Sequence, residues 1–124
     1  MQDEPTPTEL TKAVADFLRD DIAPTVSGHN AFKLRVAINM LDLVTRQLSM
    51  EAESDAAEAV RLRALLGIDG ALIGLNRALA DRIASGEIDL QTPGLAEHLW
   101  RTTMAKLAVD QPNYASYKRE AERT

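Results

Sequence analysis

Residues 30–50 read NAFKLRVAINMLDLVTRQLSM, and the fold turns on how this run is taken. A half-buried strand would alternate polar and apolar residues, and no such alternation is sustained here. The apolar positions Phe32, Leu34, Val36, Ala37, Ile38, Met40, Leu41, Leu43, Val44 and Leu48 instead cover most of a helical circumference. A helix apolar on most sides is expected at the buried centre of a bundle. At 1.5 Å per residue it would run about 30 Å, the span of a small domain.

The flanking sequence supplies helices to surround it. Thr6-Pro7-Thr8-Glu9 combines a capping threonine, a proline preset for the first helical position and a glutamate able to reach back to the cap. The helix that follows carries Leu10, Val14, Phe17, Leu18 and Ile22 as its inward stripe, and Pro24 with Ser27-Gly28 ends it. Ser54-Asp55 is the expected cap of a third helix with Val60, Leu62, Leu65 and Leu66 inward, closed by Gly67. A fourth, from about Gly70 to Ser85, points Leu72, Leu75, Leu79 and Ile83 at the core and ends at Gly86, with Gly74 marking a close approach of two helices. Thr92-Pro93 opens a fifth with Leu95, Leu99, Trp100, Thr103 and Leu107 inward. Past Pro112, Asn113 is placed to cap a last short turn carrying Tyr114 and Tyr117. The expectation is an all-α single domain over 1–124, a bundle of about five helices with a long central helix. Residues 1–5 form a disordered start and residues 111–124 a tail with its own short turn.

Composition narrows the function. A net charge of -5 argues against nucleic acid, whose phosphates need a clustered basic face. With no cysteine there is no disulfide, thiolate metal site or thiol chemistry, which fits a reducing compartment. The start MQDEPTPTEL is acidic and polar where a secretory signal is basic and then apolar, and it reads as the true start of a cytoplasmic protein. The most apolar neighbourhood, ALLGIDGALIGL, is broken by Asp69 and glycines well short of the about 20 residues of a membrane span.

Chemistry is sparse. Arg35, Asn39, Asp42 and Arg46 lie at helical steps on the central run, so two guanidiniums, an amide and a carboxylate share a stripe. Arg35 and Asn39, with His29 nearby, are the candidates for holding a carboxylate or phosphate, since a guanidinium fork matches such oxygens in two-point contacts. The competing reading is a solvated stripe with an Asp42–Arg46 pair. The histidines, His29 and His98, stand in no HxxxH or ExxH pattern, so no metal site is expected, and a lone histidine on a helix is ordinarily a partly exposed structural residue. GIDGALIG at 67–74 lacks the preceding strand and the Gly-Lys-Ser/Thr ending of a phosphate loop, so its glycines are read as punctuation. No catalytic residue and no cofactor is assigned. The two tyrosines after Pro112 need something to bury their rings against, either their own bundle or a partner.

Taken together, QDEPTPTELTKAVADFLRDDI, HNAFKLRVAINML and MAKLAVDQPNYASYKR resemble a bacterial family of small all-helical proteins of unknown function. Its members occur with aminoglycoside-phosphotransferase-like kinases and acyl-CoA dehydrogenases. The resemblance covers nearly the whole chain, carries no catalytic residues over, and implies a cytoplasmic accessory to acyl-CoA or small-molecule phosphoryl metabolism. The leading expectation is therefore a non-enzymatic helical accessory or interaction subunit. It would act as a homo-oligomer or bind a protein partner, such as one of those enzymes, through the central helix and Pro112, Tyr114 and Tyr117. The alternative is a small-ligand binder or enzyme that holds a carboxylate, phosphate or acyl-CoA group on Arg35 and Asn39.

Overall fold

Thr6 starts the first helix by the reciprocal cap its sequence predicts. Its hydroxyl accepts from the Glu9 N–H at 3.2 Å, and its own N–H donates to the Glu9 carboxylate at 2.7 Å. That backbone bond holds the Glu9 carboxyl below its ordinary value. Pro7 then opens α1 (Pro7–Phe17), which widens into a π-helical turn over Leu18–Ile22 and tightens into a 3-10 turn over Ala23–Thr25. The computed structural model describes residues 3–123. Met1 and Gln2, part of the expected disordered start, and Thr124, part of the tail, lie outside the described residues. After the turn come α2 (Gly28–Leu66), α3 (Leu72–Ala84), α4 (Leu95–Asp110) and α5 (Ala115–Ala121). The fold is all-α, and no strand occurs among the described residues.

The first difference from expectation is at a boundary. The central run and the third predicted helix are a single helix of 39 residues. Glu51-Ala52-Glu53-Ser54-Asp55-Ala56-Ala57 contains neither glycine nor proline and is mostly strong helix formers, so Ser54-Asp55 sits inside the helix instead of capping a new one. By its internal contacts the chain divides into two compact units, 1–51 and 52–124, with the division inside α2.

In the first unit α1 runs against the start of α2. Thr45 donates its hydroxyl to that of Thr11 at 2.7 Å, and Arg19 Nη2 donates to Asp42 at 2.6 Å. The sequence separation of these pairs shortens toward the turn, so the helices are antiparallel. On α1 the covered face is Thr8, Thr11 and Ala15, small residues that let the backbones approach closely, and Leu18 and Ile22 continue it through the π-helical turn. The expected inward residues Leu10, Val14 and Phe17 are exposed, Phe17 by 53%. On α2 the covered positions Ala31, Leu34, Ile38, Leu41 and Thr45 recur at steps of three and four, while Phe32, Met40, Leu43, Val44 and Leu48 are exposed. This part of α2 is therefore not the buried centre that its composition suggested.

The second unit has the larger core. Leu62 and Leu66 from the end of α2, Leu75 and Leu79 from α3, Ile88 from the α3–α4 loop and Leu95 from α4 form one buried cluster. Gly67 and Gly86 take positive φ of 67° and 79°, the left-handed step that ends α2 and α3 as the sequence predicts. Arg82 of α3 donates to the Leu66 carbonyl at 2.8 Å, satisfying one of the orphan acceptors at the end of α2. Gly74 faces open space, so it marks no close approach. The start of the fifth predicted helix is also displaced: Thr92 and Asp89 close a turn through mutual bonds of 2.9 and 3.0 Å, and α4 begins after Gly94. Its buried face is Leu95, His98 and Val109, whereas Leu99 and Trp100, expected inward, are exposed by 41% and 53%.

This burial pattern predicts a sharp contrast between two positions on α3. Leu75→Ala, at a residue 1% exposed, should cost about 2–5 kcal/mol in urea unfolding, while Ile73→Ala, at a residue 76% exposed, should cost about 0.5 kcal/mol or less. Equal losses at the two positions would contradict the assigned face of α3.

Candidate functional site

The polar stripe of α2 borders a cavity of about 380 Å³ lined by Arg19, Ala23, Val26, Ala31, Arg35, Ile38 and Asn39. Every lining residue belongs to the first unit. Arg19 reaches it from the π turn and is already committed, bonding Asp16 at 3.0 Å and Asp42 at 2.6 Å. These carboxylates, Asp42 first, raise the Arg19 pKa further. Arg35 and Asn39 have no side-chain hydrogen bond or ion pair among the described residues, so a guanidinium fork and an amide stand one helical turn apart over an apolar floor of Ala23, Val26, Ala31 and Ile38. That arrangement suits a small group with anionic oxygens and a short apolar part.

The other sequence candidates fall elsewhere. His29 is exposed and stacks on Phe32 with ring centroids 6.5 Å apart, and it does not line the cavity. In the tail α5 packs on α4 and leaves Pro112 and Tyr117 half-buried. Tyr114, at the N-cap of α5, is 53% exposed. One ring is thus partly absorbed by the protein and the other is left out. No group of three or more metal-ligating side chains is assembled among the described residues.

His98 departs most from its sequence reading. Expected to be partly exposed, it is only 3% exposed, and both its Nδ1 and Arg61 Nε are buried without a hydrogen-bond partner. A second cavity of about 210 Å³ lies beside them, lined by Arg61, Ala64, Leu65, Pro93, Gly94, Glu97 and His98. The two unpartnered nitrogens are shut off from solvent and so offer nothing to a ligand there. Burial, with Arg61 adding repulsion, pushes the His98 imidazole below its ordinary value of 6.5, and Glu58 opposes this weakly.

A pH dependence follows. A base whose folded pKa is depressed binds fewer protons folded than unfolded, so its contribution is fully present above pH 6.5 and is lost as pH falls toward the lowered folded value. Thermal unfolding temperature should therefore drop as pH is lowered from about 7.5 to 5.5. His98→Leu should flatten that drop. The window is well separated from that of Asp16 and Asp69, whose carboxyls are held below their ordinary 3.8, Asp16 first by its Lys12 bond and Asp69 first by the Gly70 N–H. Identical pH slopes for both proteins would show that His98 is not the group responsible.

Comparison with known proteins places most of the chain. A family model described as a domain of unknown function, DUF6285, matches residues 24–114. No curated protein matches the sequence, and no solved structure matches it either. The matched span holds α2, α3 and α4 complete, together with Arg35, Asn39 and His98. The chain belongs to the DUF6285 family of domains of unknown function.

Proposed function

We propose that this protein is a non-enzymatic interaction subunit whose association surface is the apolar side of the α1–α2 pair. One observation carries the reading: Leu10, Val14 and Phe17 of α1 and Met40, Val44 and Leu48 of α2 are exposed together. The antiparallel register set by Thr11 and Thr45 runs the Leu10–Phe17 row alongside the Met40–Leu48 row, and helical geometry turns both rows to the same side of the pair. In this unit, among the described residues, only Ala15 and Ile38 are buried. Two helices with so small a core gain little from folding alone, and an apolar face of this kind marks an association site. Tyr114 adds an exposed ring on the tail. The family context implied by the sequence resemblance supplies candidates for a protein partner, an acyl-CoA dehydrogenase or a kinase-like enzyme in the cytoplasm. No helix among the described residues is long and apolar enough to cross a membrane.

The reading is tested by placing a charge on the apolar side. In lysate of the native host the tagged chain should elute well above its own 13.6 kDa, and Val14→Glu, at a residue 49% exposed, should return it to the mass of one chain with its helicity intact. A version ending at Gln111 shows whether Tyr114 contributes. If the unaltered chain already elutes as a single copy, the reading is wrong.

The cavity favours a second reading, small-ligand binding. Phosphate, acetate or a coenzyme A thioester would be held by Arg35 and Asn39, and a ligand at about one hundred times its Kd should stabilise the fold by about 2.7 kcal/mol. Arg35→Ala should abolish that thermal shift. Equal shifts with and without Arg35 would place the ligand elsewhere.

A further inference from the structure

The exposed side of α2 carries a pattern that names its own occupant. Lys33, Ala37, Met40, Val44, Gln47 and Glu51 follow one another at steps of four, three, four, three and four. This is the spacing of a two-helix seam, in which every such position faces the same way. Lys33 and Glu51 are separated by five full helical turns and therefore lie on one line along the helix. They are the charged members at its two ends, of opposite sign, with apolar residues and one glutamine between them. Neither makes an ion pair or side-chain hydrogen bond among the described residues.

The sequence is self-complementary about residue 42. If the seam meets a second copy of itself running the opposite way, Lys33 falls against Glu51 of that copy, Ala37 against Gln47 and Met40 against Val44. Each pairing then occurs twice, as a two-fold interface requires. The parallel arrangement would set Lys33 on Lys33 and Glu51 on Glu51, a like-charge cost at both ends. Around the seam, Leu43 flanks one edge and Leu48 with the α1 residues Val14 and Phe17 flanks the other, all exposed. The polar stripe of Arg35, Asn39 and Asp42 lies on the opposite side of the α1–α2 pair and would remain open.

We infer that the apolar side of α1–α2 is covered by a second copy of this chain. The two helical pairs meet antiparallel along the Lys33–Glu51 seam to form a four-helix bundle. This deepens the interaction reading and rests on it, because it specifies the partner. Burying the two pairs against each other also adds to the small core of the 1–51 unit, in which Ala15 and Ile38 are buried.

The test is light scattering of the purified full chain across a wide concentration range. The expected mass is about twice 13.6 kDa. Met40→Glu, at a residue 63% exposed, should give the mass of one chain with unchanged helical circular dichroism. Lys33→Glu and Glu51→Lys should each weaken the dimer about tenfold or more at low salt, and the double variant should restore it, since the pair of charges is only exchanged. A single-chain mass for the unaltered protein at every concentration overturns the inference. So does a dimer that the charge variants leave unchanged. If the purified chain is monomeric while the complex in lysate persists and is lost with Val14→Glu, the second copy is wrong and a different protein partner stands. If both assemblies are missing, the interaction reading fails as well.

Discussion

The first half of the molecule depends on how closely α1 can approach α2. Two threonines and an alanine, Thr8, Thr11 and Ala15, form the contact face of α1, and the Thr45 hydroxyl bonds that of Thr11 at 2.7 Å. A hydrogen bond of this kind is worth only about 1 kcal/mol, but it fixes which way both helices are turned. Once the small face is inward, helical geometry rotates Leu10, Val14 and Phe17 about 100° to one side and Arg19 about 70° to the other. The Arg19–Asp42 pair at 2.6 Å then ties the second side together. Both partners are partly exposed, so that pair contributes orientation more than stability.

From this one choice the α1–α2 pair acquires two unlike sides. The side with Arg19 and Asp42 also holds Arg35, Asn39 and the cavity of about 380 Å³, where an anionic group would find an unpaired guanidinium. The other side is apolar from Leu10 to Phe17 and from Met40 to Leu48 and is suited to another helical surface. The two activities proposed for the protein therefore do not compete for the same residues. Ligand binding uses the polar side and association the apolar one, so a protein that does both is physically consistent. The 52–124 unit has a different character. Its core is the leucine cluster around Leu62, Leu75 and Leu95, and His98 is buried outside that cluster, beside the small cavity that Arg61 and Leu65 line.

Much of this was legible in the sequence. Capping residues and glycines announce themselves by local chemistry, so the start at Thr6 and the ends at Gly67 and Gly86 could be read directly. The stripe of Arg35 and Asn39 was visible for the same reason, as polar groups on an apolar helix. Facing was harder to read. On α2 apolar residues occur nearly all round, so composition cannot say which arc is covered, and the pairing through threonines and alanine on α1 reverses the usual rule that the largest apolar residues go inward. The same ambiguity hid His98. Leu95, Leu99, Thr103 and Leu107 form one helical stripe, but Leu95, His98, Thr102, Ala105 and Val109 form another with three-four spacing, and the second is the one turned inward. Ile88 was missed because it lies in a loop, where no periodicity marks a core residue. The join at Ser54-Asp55 failed because a capping sequence caps only when something stops the preceding helix, and nothing between Met50 and Asp55 does.

The central claim, that one side of the α1–α2 pair is covered and the other open, has a direct measurement. The chain contains no cysteine, so single thiols can be placed at will. The alkylation rates of Leu43→Cys and Asn39→Cys would be compared in the folded, purified protein at high and low concentration. The account predicts that the thiol at position 39 reacts quickly throughout, while the one at 43 is protected when concentrated and becomes reactive on dilution. Equally rapid reaction at both positions, at every concentration, would contradict it.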